Sequence, residues 1–151
     1  MKNLVNHSRN ESRVTARPFS VFIVDDDEAY LTALGFKLMK DDKMHQRKVY
    51  CYATGEECIS NLSLNPGIIV LDYYLSTNNQ TMSGLEVLRH VKKIRPEIPI
   101  VMLSGQGDMK TALATFEEGA YTYIVKDKEA FLSIGKIIDS FMHPVKSAGP
   151  Y

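Results

Sequence analysis

The sequence predicts an α/β domain: a doubly wound, five-stranded parallel sheet in the order 2-1-3-4-5, with helices on both faces. Three observations carry this. Five short apolar segments alternate with five longer segments of helical periodicity. The first, third and fourth apolar segments are near-continuous, as strands buried on both faces must be. The chain has 151 residues, the size of one domain and enough to bury a sizeable core.

The elements follow in order. Residues 19–24 form the first apolar run, which stops at Asp25, Asp26 and Asp27. Leu31, Leu34 and Leu38, at i, i+3 and i+7, predict the helix behind it. Residues 48–53 are the second strand. Thr54 and Glu57 have capping-box spacing, and Cys58, Ile59 and Leu62 give the next helix an apolar face. Residues 67–71 form the third strand, ending at Asp72, and a polar loop over residues 73–82 follows. Ser83 and Glu86 repeat the capping-box spacing and open a helix that presents Leu85, Leu88, Val91 and Ile94. Pro96 ends it. Residues 100–103 are the fourth strand. A helix from about Asp108 presents Ala112, Leu113 and Phe116, and Gly119 can close it in the left-handed conformation. Residues 121–125 are the fifth strand. The last helix carries Ala130, Ile134, Ile137, Ile138 and Phe141 as one stripe, with Pro144 just beyond.

Residues 1–18 stand apart: polar, mildly basic and poor in large apolar groups. They read as a flexible tail, because they cannot bury enough surface to offset the entropy of ordering. The domain proper is expected over 19–142, with a short C-terminal tail over 143–151. Eighteen basic and eighteen acidic side chains leave a net charge of zero, which argues against general affinity for nucleic acid or an anionic membrane. No apolar run reaches membrane-spanning length, and the N-terminus lacks the apolar core of a signal peptide, so a cytoplasmic protein is expected. Cys51 and Cys58 match no zinc pattern and read as small packing residues.

The informative polar residues all sit where strands end. Asp25 and Asp26 follow the first strand, Asp72 the third, Ser104 and Gly105 the fourth, and Lys126 the fifth. Taken singly, each has a plainer reading. Acids after a strand cap helices, and Asp27 is read as either a pure cap or a solvated residue. Asp72 or Ser104-Gly105 could mark turns, and lysines are mostly solvated. In the order 2-1-3-4-5, however, the first and third strands are neighbours, and these ends share one rim at the switch point. Carboxylates that close repel by about 4 kcal/mol at ~4 Å and an effective dielectric near 20, so they call for a proton or a cation. An all-oxygen ligand set suits Mg²⁺. Lys126, the Ser104 hydroxyl and the cation would each neutralise one oxygen of a transferring phosphoryl group, with Asp72 as carboxylate nucleophile.

Along residues 19–142 the sequence resembles the receiver domains of response regulators, the CheY-like branch of the flavodoxin-like folds. Residues 22–28, with Asp25 and Asp26, resemble the first-strand acidic motif. Residues 69–74 resemble the phosphoacceptor motif, 101–105 the strand-four hydroxyl motif, and 119–126 the strand-five motif. The resemblance implies that Asp72 accepts phosphate. It implies that Asp25, Asp26, Asp72 and the backbone carbonyl of Tyr74 hold Mg²⁺, that Ser104 and Lys126 assist, and that Ser104 and Tyr123 form a conformational switch. It implies a histidine kinase or histidine phosphotransfer protein as donor. The output would pass to a downstream protein or a second copy, through the face of the fourth helix, fifth strand and fifth helix. Position alone would make Tyr123 an ordinary strand tyrosine with its hydroxyl in water.

Two features depart from the family. The loop after Asp72 is longer than usual and lacks the usual proline, and Asp127 follows Lys126 where many receivers have proline. Rival functions fit less well. A phosphate-ester hydrolase would want a carboxylate where Tyr74 stands. A nucleotide or flavin module would want a glycine- or hydroxyl-rich loop in place of Asp25–Asp27. A degenerate, binding-only receiver would not need the intact acid pair, acceptor, hydroxyl and lysine. After Lys126 there is room for one helix and a tail, so no DNA-binding domain is expected within this sequence.

Overall fold

The computed structural model describes residues 17–76 and 81–145. Most of the N-terminal tail, part of the loop after Asp72 and the last residues of the C-terminal tail therefore lie outside the described residues. The elements run β1 (Phe19–Val24), α1 (Glu28–Asp41), β2 (Arg47–Tyr52), α2 (Gly55–Ser60), a 3-10 turn (Leu62–Leu64), β3 (Ile68–Asp72), α3 (Gly84–Ile94), β4 (Ile100–Ser104), α4 (Met109–Glu117), β5 (Thr122–Val125) and α5 (Ala130–Met142). The five strands pair in parallel in the order β2-β1-β3-β4-β5, as expected. All peptide bonds among the described residues are trans.

Side-chain alternation along the strands builds two cores. Phe22, Val24, Ile69, Leu71, Ile100 and Met102 face one way and meet Cys58 of α2 and Val87, Leu88 and Val91 of α3. Val21, Ile23, Val70, Val101 and Leu103 face the other way and meet Leu31, Leu34 and Leu38 of α1 and Ile134 and Ile138 of α5. A parallel strand with one buried face would alternate. Here both faces are covered, which is why β3 and β4 are apolar almost throughout and buried at every residue.

Helix ends follow local chemistry. Asp27 caps α1, accepting from the N–H groups of Ala29 and Tyr30 at 3.0 and 3.1 Å, the first of its two expected roles. Ser83 and Glu86 form a complete capping box on α3. At α2 the box is half-formed: Thr54 accepts from the Glu57 N–H, but the Glu57 carboxylate takes the N–H of Ala53 rather than that of Thr54. Gly119, at φ 91°, closes α4 as expected.

Four sequence expectations need correction. Ile94 is half exposed, and Val87 takes its place in the core. Leu62 lies in the 3-10 turn, because α2 stops at Ser60. Cys51 is exposed on the edge strand β2, whereas Cys58 is buried. On α4 the apolar side chains Leu113 and Phe116 face outward, and the buried residues are Thr111 and Thr115.

One buried cation braces the end of the sheet opposite the rim formed by the strands' C-terminal ends. The Arg47 guanidinium donates to the Leu38 carbonyl at 3.1 Å and pairs with Asp139 of α5. Asp42 accepts the N–H groups of Gln46 and Arg47 at 3.0 and 2.8 Å. These contacts tie β2 to the last turns of α1 and α5.

Candidate phosphoacceptor and metal site

The strand ends are locked before any site chemistry is considered. The Asp25 N–H donates to the Tyr52 carbonyl at 3.1 Å, the Tyr73 N–H to Leu103 at 2.8 Å, and the Lys126 N–H to Ser104 at 2.8 Å. The parallel register therefore carries the side chains of Asp25, Asp72 and Lys126 to one rim. The Lys126 ammonium lies 2.7 Å from Asp25 Oδ2 and 3.4 Å from Asp72 Oδ1. Asp25 Oδ1 accepts the Asp27 N–H at 2.9 Å, and Asp72 Oδ1 accepts the Tyr74 N–H at 3.3 Å. Asp26 is exposed beside them and accepts from Ser76.

Three carboxylates thus stand against one ammonium. Asp25, Asp26 and Asp72 each offer an oxygen within 4.8 Å of the others. Asp25 and Asp72 are 0% and 3% exposed, so water screens their repulsion poorly. Burial, then the Asp25 charge, push the Asp72 carboxyl from 3.8 up to about 6, despite the opposing pull of Lys126 and the Tyr74 N–H. Burial alone would lower the Lys126 pKa, but its bonds to Asp25 and Asp72 and their charges raise it. The ammonium is therefore a fixed positive charge at neutral pH. The donor set is all oxygen and in excess of positive charge, which fits a hard divalent cation.

The access is asymmetric. A methyl group at Gly84 would fall 2.1 Å from the Asp72 carbonyl oxygen, so α3 starts hard against the Asp72 backbone. At Gly105 a methyl group would meet nothing within 4 Å, so the approach from β4 is open.

The family model for the response regulator receiver domain matches residues 21–133. The chain belongs to this family. The receiver is 33% identical over 111 residues to the photosynthetic apparatus regulatory protein RegA of Rhodobacter capsulatus, covering 74% of this chain and 56% of that protein. It is 30% identical over 105 residues to the nitrogen assimilation regulatory protein NtrX of Azorhizobium caulinodans, covering 69% of this chain and 22% of that protein. The receiver thus spans about a fifth to a half of the length of these relatives. Among solved structures it is similar to the BeF3-activated receiver domain of DrrB from Thermotoga maritima, at 26% identity and a TM-score of 0.70, covering 83% of this chain and 97% of that one. It is accordingly a response regulator receiver domain of two-component signalling, a signalling domain with a CheY-like fold. Among the described residues, no helix is long and apolar enough to cross a membrane.

Of the residues singled out in the sequence, the receiver brings Asp25, Asp26, Asp72 and Lys126 into one cluster. Tyr74 lies at its edge, offering backbone while its side chain is half exposed. Ser104 is buried at the end of β4 and its hydroxyl accepts the Gln106 N–H at 3.1 Å. The Tyr123 hydroxyl donates to the Gln106 carbonyl in an exposed setting. Both proposed switch residues therefore hold the same loop residue.

Sequence reasoning missed three contributors. Tyr30 lays its ring under the Lys126 ammonium, 4.5 Å from the centroid. Burial, then Asp25 and Asp72, push its phenol up to about 12, so it stays neutral. Gln106 and Ser76 were likewise unmarked. Tyr30 and Ser76 meet partners distant in sequence, and Gln106 acts through its backbone N–H and carbonyl, which its side chain does not announce.

Proposed function

We propose that Asp72 accepts a phosphoryl group, with Mg²⁺ held by Asp25, Asp26, Asp72 and the backbone carbonyl of Tyr74. The observation that carries this reading is the convergence of three carboxylates and the Lys126 ammonium on one rim, with Asp72 beside an open approach at Gly105. The donor is the phosphohistidine of a histidine kinase or histidine phosphotransfer protein. An Asp72 oxygen forms the new O–P bond, the donor's P–N bond breaks, and the freed imidazole keeps the electron pair and takes a proton. Lys126 steadies one phosphoryl oxygen and the Ser104 hydroxyl another. The cation, when bound, supplies neutralising charge for the phosphoryl oxygens and the crowded acids.

The output follows from the contacts of Gln106. A phosphoryl group on Asp72 adds about two negative charges and new acceptors. Turning the Ser104 hydroxyl toward it gives up the Gln106 N–H. The loop that also anchors the Tyr123 hydroxyl is then released, and Tyr123 follows. The face of α4, β5 and α5 responds. It exposes Leu113, Phe116 and Tyr121, apolar surface suited to a downstream protein or a second copy. Direct binding to nucleic acid or membrane is not part of this reading, given the zero net charge. The setting is cytoplasmic, and residues 19–142 suffice for the chemistry.

The test is phosphorylation by acetyl phosphate with and without Mg²⁺, read on a phosphate-affinity gel. Wild type should shift only with Mg²⁺, and Asp72→Asn should not shift. Equal labelling of the two proteins would overturn the assignment.

A further inference from the structure

The loop between β3 and α3 is anchored at both described ends. Ser76 donates twice to one oxygen of Asp26. Its main-chain N–H reaches Oδ2 at 3.1 Å, and its hydroxyl bonds the same atom. The Thr81 hydroxyl donates back to the Ser76 carbonyl at 2.9 Å, closing the neck of the loop. Next to it, the Met82 N–H donates to Glu56 of α2 at 2.6 Å.

Asp26 needs such a hold more than its neighbours do. Asp25 and Asp72 are buried and fixed by Lys126 and by backbone N–H groups. Asp26 is exposed, and among the described residues Ser76 alone donates to its carboxylate. A free carboxylate must give up rotational freedom to become a ligand. One already held through Oδ2 keeps Oδ1 and its lone pairs open, with its plane fixed. Partners that orient a ligand in this way commonly change metal affinity by about 10–100-fold.

We propose that Ser76 is a positioning residue for the cation: it holds Asp26 in its ligating orientation and so makes cation affinity depend on the neck of the β3–α3 loop. The inference rests on reading Asp25, Asp26 and Asp72 as a Mg²⁺ site. A proline at 76 could supply neither bond, having no N–H and no hydroxyl.

The experiment is calorimetric titration of the full chain with MgCl2, alongside melting in EDTA. Wild type and Ser76→Thr, which keeps both donors, should bind alike. Ser76→Ala, which loses the hydroxyl, should bind about tenfold more weakly, and Ser76→Pro weaker still. Melting of the exposed-site variants Ser76→Thr and Ser76→Ala in EDTA should match wild type, separating a metal effect from a folding effect. Ser76→Ala binding as tightly as wild type, or failure of Ser76→Thr to restore affinity, would overturn the role of Ser76 alone. Absence of Mg²⁺ binding in wild type, or unchanged binding in Asp26→Asn, would overturn the metal site and this inference with it.

Discussion

Asp72→Asn should make the metal-free protein more stable, and the gain should have a defined pH profile. The Asp72 carboxyl is 3% exposed and is pushed from 3.8 to about 6 by burial and by the Asp25 charge. The neutral form is therefore favoured in the folded protein. Each tenfold change in a protonation constant corresponds to about 1.4 kcal/mol, so ionising Asp72 costs the fold about 3 kcal/mol once both states are ionised. Asparagine keeps the shape and removes the charge. Below the unfolded value, 3.8, wild type is protonated in both states and the substitution should be neutral. Between there and about pH 6 the folded state binds more protons than the unfolded state, so wild-type stability falls as pH rises and the advantage of asparagine grows. Above that it should level off. At about 3 °C per kcal/mol for a domain of this size, the difference at pH 7.5 would approach about 9 °C. Urea denaturation at pH 4, 5, 6 and 7.5 in EDTA checks the profile. Repeating it in millimolar Mg²⁺ should shrink the gap, because ligand binding to the folded wild type is itself stabilising. A variant no more stable than wild type at pH 7.5, or a gain equal at all four pH values, would refute the electrostatic reasoning.

Other substitutions probe separate parts of the structure. Lys126→Met removes the ammonium from Asp25 and Asp72 and should cost about 3 kcal/mol at pH 7, less at pH 4 where Asp72 is neutral; parallel urea titrations measure both. Gly84→Ala drives a methyl group to 2.1 Å from the Asp72 carbonyl oxygen and should cost about 3 kcal/mol or prevent folding, whereas Gly105→Ala, with nothing within 4 Å, should leave the melting temperature unchanged. Arg47→Ala leaves the Leu38 carbonyl and Asp139 without their partner and should cost about 2–4 kcal/mol, with Asp139→Ala milder because that side chain is largely exposed; chemical denaturation ranks the two.

The candidate site was legible in the sequence wherever an apolar run stopped at a polar residue. Both faces of β3 and β4 are buried, so their ends are sharp, and Asp72 and Ser104 could be placed by counting. Asp27 was legible for a similar local reason, since an N-cap needs only the next turn. The inward face of α4 was not legible. Periodicity assumes that buried helix positions are apolar, yet Thr115 is buried with its hydroxyl bonded to the Ala112 carbonyl at 2.7 Å, which removes the cost of burying it. On α3, Val87 and Ile94 were exchanged because the apolar stripe is wide enough to fit either. Ser76 and Asp26 lie fifty positions apart and meet only through the sheet, so no window along the chain contains both. The same is true of Tyr30 and Lys126.

The outward turn of α4's apolar side chains also bears on how the molecule breathes. α1, α3 and α5 are each anchored by three buried apolar residues, Leu31, Leu34 and Leu38, then Val87, Leu88 and Val91, then Ala130, Ile134 and Ile138. A fully buried aliphatic side chain of valine size or larger contributes about 1.5–3 kcal/mol. α4 buries two threonines instead, while Met109, Leu113 and Phe116 are 82, 55 and 49% exposed. Detaching this helix would uncover little fresh hydrocarbon, so its opening should respond weakly to denaturant. Its amide protons should exchange with solvent through a sub-global opening well below the free energy of complete unfolding, while those of β3 and β4 wait for the whole domain.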